Sequence, residues 1–215
     1  MRILLKIIFI LFLASITFSL GAYYFWYKPK FKLPGTSSFK EINFSSEEFA
    51  RLKTRAFSIK NFIATNHYNS KICFLVDMKI SSGKKRFFVY DLQNDSILIS
   101  GLVAHGSCDN GFQPEANFSN KVNSGCSCMG KFRIGNSYNG RFGIAYKLYG
   151  LDSCNSYAYE RTIVLHSYNC VPEQEVYPLP ICNSRGCPMV SIEFLQKLKS
   201  YLENSDKPIL LNIFS

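Results

Sequence analysis

Two short segments of this 215-residue chain carry residue types capable of covalent chemistry. RTIVLHS (161–167) places His166 at the exit of an apolar run, and NSRGCPMVS (183–191) places Cys187 between a glycine and a proline 21 residues later. A nucleophilic thiol needs a base to draw off its proton, and histidine is the usual one. It also needs amide donors aimed at the developing oxyanion, which a tight turn supplies; Gly186 permits the backbone angles of such a turn. The same residues have plainer readings, Cys187 as half of a disulfide and His166 as a hydrogen-bonded strand-end residue. The two can meet only in the folded chain, so residue types alone leave a Cys–His enzyme and a structural pair both open.

The compartment bears on that choice. Ile7–Tyr27 is an uncharged stretch of 21 residues ending in YYFWY, preceded by Arg2 and Lys6 and followed by Lys28, Lys30 and Lys32. It is long enough for a membrane anchor with an interfacial aromatic belt. A basic start, an apolar stretch and the small residues Ser19 and Gly21 also fit a cleaved signal peptide. Either one exports the remainder, where the eight cysteines, Cys73, Cys108, Cys126, Cys128, Cys154, Cys170, Cys182 and Cys187, can form disulfides. The formal charge of +10 invites a nucleic-acid reading, but five of the 25 basic residues and none of the 15 acids fall in residues 1–32. What is left is +5, so no nucleic-acid partner is expected. Cys126-x-Cys128 near His105 is tighter than the spacings of zinc sites, so no metal is expected there.

The elements that must position the pair follow from periodicity. Residues 1–27 read as the anchor or signal, and 28–44 as a linker with Pro, Gly and Ser punctuation. Within 45–68, Ser45-x-x-Glu48 forms a capping box ahead of Phe49, Leu52, Ala56, Ile59 and Ile63, predicting an amphipathic helix over 46–65 that packs on the next domain. Residues 69–215 change to β-type runs. ICFLVDMKI (72–80), RFFVYDL (86–92) and SILISGLVA (96–104) read as a meander, and KFRIG, RFGIAYKLYG and RTIVLH continue the pattern. The long polar stretch 105–130 reads as a functional or mobile loop. Ser191 N-caps a last helix bearing Phe194, Leu195, Leu198 and Leu202, and KPILLNIF (207–214) closes with a buried strand. The fold expected is mainly β with peripheral helices.

Read together, FFVYDLQNDSILISGLVAHG, SCMGKFRIGNSYNGRFGIAYKLYGLD, ERTIVLHS and SRGCPMVS resemble the murein L,D-transpeptidase catalytic domain (YkuD-type), with the likeness running over Val89–Phe214. The resemblance implies the β-rich fold of that family and a role for each matching residue. Cys187 would be the nucleophile and His166 its base, with Ser167 orienting the imidazole through its backbone carbonyl. Ser184, Arg185 and Gly186 would form the turn beside the nucleophile, with the Gly186 and Cys187 amides as oxyanion donors. Arg185 stands where many members have histidine, and Met189 where many have a polar residue. His105, in AHG, and Arg161, opening the strand to His166, are candidates to line the substrate site. Their plainer readings are a loop histidine and a structural ion pair.

The implied reaction is acyl transfer: Cys187 attacks a tetrapeptide stem of peptidoglycan, and an amine of a second stem resolves the thioester into a 3→3 cross-link. Water as acceptor would make an L,D-carboxypeptidase, and a domain disabled by Arg185 would only bind wall peptides. A sortase-like enzyme is disfavoured because no arginine follows Cys187. The resemblance implies no metal or organic cofactor. The implied partners are peptidoglycan stem peptides, and the membrane if the N-terminal segment is retained. The implied location is the cell envelope, at the periplasmic or extracytoplasmic face of the inner membrane. Cys170 and Cys182 bracket the loop between His166 and Cys187, and a bond between them would hold the two segments in register.

Overall fold

The computed structural model describes residues 2–27 and 45–215, and the chain divides into two units, Met1–Asn43 and Phe44–Ser215. In the first, α1 (Arg2–Gly21), built mostly of Ile, Leu and Phe, runs into a π-helical turn, Ala22–Tyr27. Among the described residues no helix is long and apolar enough to cross a membrane. The linker expected over 28–44 lies outside the described residues.

The second unit opens with α2 (Ser46–Thr65). Its first turn is closed as a capping box: the Glu48 N–H donates to Ser45 Oγ at 3.1 Å and the Ser45 N–H to Glu48 Oε2 at 3.0 Å. Those contacts satisfy amides that a helix start otherwise leaves orphaned. Leu52, Ala56, Ile59 and Ile63 form its buried stripe, each large side chain contributing about 1.5–3 kcal/mol on leaving water.

Nine strands then build one sheet: β1 (Ile72–Asp77), β2 (Phe87–Asp91), β3 (Ser96–Gly101), β4 (Val103–Ala104), β5 (Gly130–Gly140), β6 (Gly143–Gly150), β7 (Val164–Ser167), β8 (Met189–Val190) and β9 (Leu210–Phe214). Their order across the sheet is β3-β2-β1-β9-β5-β6-β7-β8-β4. Leu102 alone separates β3 from β4 in the chain, yet these two strands lie at opposite ends of that order. The sheet therefore has to curl until its ends approach, giving a barrel-like body.

Inside sit Phe74, Val76, Phe87, Val89, Phe132, Leu148 and Leu165, joined by Phe194, Leu195 and Leu198 of the last helix, α3 (Ile192–Glu203). The alternate side chains of β1, β2 and β9, namely Cys73, Leu75, Phe88, Tyr90 and Leu210, pack beneath α2 in a second core. Period-two alternation sends successive side chains to opposite faces, and here both faces are covered. This is why ICFLV and FFVY read as unbroken apolar runs.

The meander expected over 72–104 is present as β1–β2–β3, with one correction. Residues 96–104 are two strands instead of one, because the chain leaves one end of the sheet at Gly101 and joins the other at Val103.

Candidate active site

The site forms where β7 ends. β7 pairs antiparallel with β6 and parallel with β8, which sets His166 opposite Ala145 on one side and Met189 on the other. His166 is 5% exposed and its Nδ1 lies 3.1 Å from the Ser167 carbonyl oxygen. A carbonyl only accepts, so Nδ1 carries the ring proton and Nε2 keeps its lone pair. Phe142, at the tip of the β5–β6 hairpin, stacks on the imidazole with ring centres 5.2 Å apart and planes 19° apart, and Tyr168 meets Phe142 edge-on. Burial holds the His166 pKa below its ordinary 6.5, with the Ser167 carbonyl pulling the other way. At neutral pH the imidazole is therefore uncharged, with a free base at Nε2.

Cys187 lies two residues before Met189 and so falls level with Val164. The Val164 N–H points at its sulfur at 3.5 Å, and the thiol faces the Thr162 carbonyl at 3.8 Å. Burial raises the Cys187 pKa, while the Val164 N–H and the Arg161 charge lower it by less. The resting pair is thus a neutral thiol and a neutral base, which suits proton transfer during attack better than a standing thiolate. His166 and Cys187 line one groove of about 610 Å³.

The turn that presents Cys187 is fixed by its own backbone. Gly186 has φ +110°, and a Cβ there would fall 2.6 Å from the Cys126 carbonyl oxygen. The Ser184 hydroxyl donates to the Cys187 carbonyl at 2.6 Å and accepts the Gly186 N–H at 3.1 Å. Gly186 N–H is thereby spent inside the turn, on the Ser184 hydroxyl. Sequence reasoning treated the two amides alike because the Ser184 contact is invisible in a motif. Behind the turn, Ser127 Oγ accepts from the Gly106 N–H and donates to the Gly186 carbonyl.

Two residues expected to line the site are not among those lining the groove, although Arg161 sits directly behind the Gly186 turn. His105 is fully buried: Nδ1 accepts from Arg86 Nη2 at 2.8 Å, and Nε2 faces the Gln113 carbonyl at 3.1 Å. Burial first, and the Arg86 cation second, push its pKa down to about 4, so it is a neutral post. Arg161 spends its guanidinium on the Ser119 and Cys126 carbonyls, pinning the 105–130 segment under the turn. Its structural reading changes with that, from an ion pair to a backbone clamp. Glu173, in the loop between His166 and Cys187, caps α3 through Ser191 Oγ and the Glu193 N–H, and Glu175 accepts the Lys85 N–H.

The long polar segment is tied down at several points. Cys108 is bonded to Cys126, and Asn183 grips Gln113 through both its N–H and its carbonyl. Cys170 is bonded to Cys182, joining the end of the His166 segment to the start of the Cys187 segment. Cys73, Cys128, Cys154 and Cys187 are free thiols. Sequence reasoning missed Arg141, Phe142 and Tyr168, all of which line the groove. An exposed aromatic at a Gly-flanked hairpin tip was a usable signal for Phe142; its place over His166 depends on the β6–β7 register.

Residues 45–209 match the family model described as the L,D-transpeptidase catalytic domain. Among solved structures, the chain is similar to the helical cell shape determining protein Pgp2 of Campylobacter jejuni, at 13% identity and a TM-score of 0.42 over 72% of this chain and 54% of that one. It is also similar to an L,D-transpeptidase of Mycobacterium smegmatis, at 12% identity and a TM-score of 0.40 over 67% and 59%. The Ldtfm-avibactam carbamoyl enzyme matches at 10% identity and a TM-score of 0.42 over 67% and 49%. The chain thus spans about half to three-fifths of these proteins. No curated protein matches its sequence.

Proposed function

Because the chain belongs to the L,D-transpeptidase catalytic-domain family, whose members act on peptidoglycan stems outside the cytoplasm, we propose that it is a cysteine acyltransferase of the cell wall. The observation that carries this reading is the convergence of His166, with Nε2 left basic by the Nδ1–Ser167 contact, and the Cys187 thiol on one groove.

In the proposed reaction the Cys187 proton passes to His166 Nε2 as sulfur attacks the carbonyl between the third and fourth residues of a tetrapeptide stem. The oxyanion is met by the Cys187 N–H. Collapse breaks the C–N bond, and the imidazolium returns its proton to the departing D-alanine amine, leaving a thioester on Cys187. An amine of a second stem then attacks the thioester and gives up its proton to Nε2. Collapse expels the sulfur, which recovers that proton, and the product is a 3→3 cross-link.

Incubation of the protein with tetrapeptide-containing muropeptides tests the reading. A 3→3 dimer absent with Cys187→Ala supports the transferase. Tripeptide alone makes it an L,D-carboxypeptidase, and binding without turnover makes it a degenerate wall-peptide-binding domain. The uncharged run Ile7–Tyr27 supports export as an anchor or signal. N-terminal sequencing of protein recovered from cell envelopes separates the two, and recovery from cytosol alone contradicts both.

A further inference from the structure

The groove that holds Cys187 is lined by two arginines, Arg141 and Arg185, and by no aspartate or glutamate. Arg185 precedes the thiol by two residues on the same turn, and its side chain is 82% exposed. Its guanidinium is nonetheless set in one orientation: Nε and Nη2 each hold one oxygen of Asp109 at 3.1 Å. This is the two-pronged geometry by which arginine takes a planar carboxylate. Asp109 is itself fixed, at a left-handed φ of 52° beside Cys108, which is bonded to Cys126. An ion pair this exposed contributes little to stability, so a ligand carboxylate can replace Asp109 at small cost.

We infer that Arg185 reads the free carboxylate of the residue released from the donor, with Asp109 as the resting occupant of the guanidinium fork. The inference rests on the acyl-transfer reading above and assigns a specificity-determining residue to its donor, a peptide whose scissile amide is the last one in the chain. In such a peptide the terminal carboxylate carbon is three bonds from the attacked carbon, about 3–4 Å away by standard bond lengths and angles. The turn that presents the thiol therefore also carries a guanidinium that lines the same groove as the reacting sulfur. A peptide that continues past the scissile bond, or one ending in an amide, forfeits the charge-assisted contact. Arg141, on the β5–β6 hairpin tip, adds a second positive charge to the same groove.

The test has two arms. The first needs no peptidoglycan: Cys187 is alkylated with iodoacetate or iodoacetamide, which differ as carboxylate and amide, and site-resolved peptide masses give the two rates. The iodoacetate-to-iodoacetamide rate ratio is expected to be about tenfold higher in the wild type than in Arg185→Gln, the size of a charge-assisted hydrogen bond. Arg185→Lys is expected to fall between them, and Asp109→Asn above the wild type. A ratio equal within twofold in the wild type and Arg185→Gln, or unmoved by Asp109→Asn, overturns the inference.

The second arm compares tetrapeptide donors with free and amidated C-termini. Amidation is expected to raise KM about tenfold in the wild type and to change it less than twofold in Arg185→Gln. If the alkylation ratios behave as expected and neither peptide reacts, the carboxylate site stands and the wall-acyltransfer reading fails. If both peptides react equally well, the reading stands and the inference fails.

Discussion

His166 stands opposite Met189 in the parallel pairing of β7 with β8. That register, over a strand of only two residues, decides where the thiol lies. Counting back two residues on each strand puts Cys187 beside Val164, where the Val164 N–H meets its sulfur. The imidazole is held from its own strand by the Ser167 carbonyl. The β7–β8 register therefore sets the two segments side by side, and the Ser184–Gly186 turn presents the thiol.

The first prediction concerns pH. His166 is held below its ordinary 6.5 and Cys187 is raised. Acylation through a neutral base should thus rise as His166 loses its proton, with a midpoint below 6.5 and a plateau through neutrality. Carbapenem acylation rates measured across pH test this. His166→Ala should lose that rise and slow acylation by about 10²–10⁴-fold, the usual contribution of a general base. An unchanged rate removes His166 from the reaction.

A second prediction is steric. Gly186→Ala meets the Cys126 carbonyl and adopts a positive φ that side chains resist. The expected cost is about 1–3 kcal/mol of stability, read by denaturant unfolding, with acylation reduced at least tenfold. Full activity in Gly186→Ala contradicts the turn geometry described above.

How much of this was readable in the residues varies with range. The α2 cap and stripe were legible because Ser45, Glu48 and the i, i+3, i+4 apolar set are local signals. The meander was legible because turns punctuate it. β8 and its pairing were not: Met189–Val190 is too short to show alternation, and parallel partners are set by distant parts of the chain. Residue types singled out the Cys187 and His166 segments and the resemblance gave them roles, yet the duties of His105 and Arg161 depended on which carbonyls and cations the fold brings to them. Neither the burial of a single histidine nor a backbone clamp has a sequence signature.

The Cys170–Cys182 bond closes a short loop, with a sequence separation of 12, between the two reacting segments. A loop of this size is worth about 3 kcal/mol in the chain-entropy account. Replacing both cysteines by serine should lower unfolding free energy by about 2–4 kcal/mol and slow acylation more than it weakens ligand binding. Equal stability of the double variant and the wild type would falsify a structural role for the bond.

The His105 post gives a pH-dependent stability. Its folded pKa of about 4 lies below the ordinary 6.5, so between those values the unfolded chain binds the proton more readily. Stability should then fall as pH drops from 6.5 towards 4, by up to about 1.4 kcal/mol per pH unit from this group. His105→Gln retains an acceptor for Arg86 and should flatten that slope in chemical denaturation at pH 4.5, 5.5 and 6.5. An identical slope in the variant assigns the effect to other groups.

The central claim is a covalent intermediate on Cys187, and intact-mass analysis of the full chain with a tetrapeptide donor and no acceptor tests it most directly. The account predicts a species heavier by the donor less its terminal D-alanine, mapped to Cys187 and missing in Cys187→Ala. D-Alanine release without that species, or the same adduct in Cys187→Ala, contradicts it.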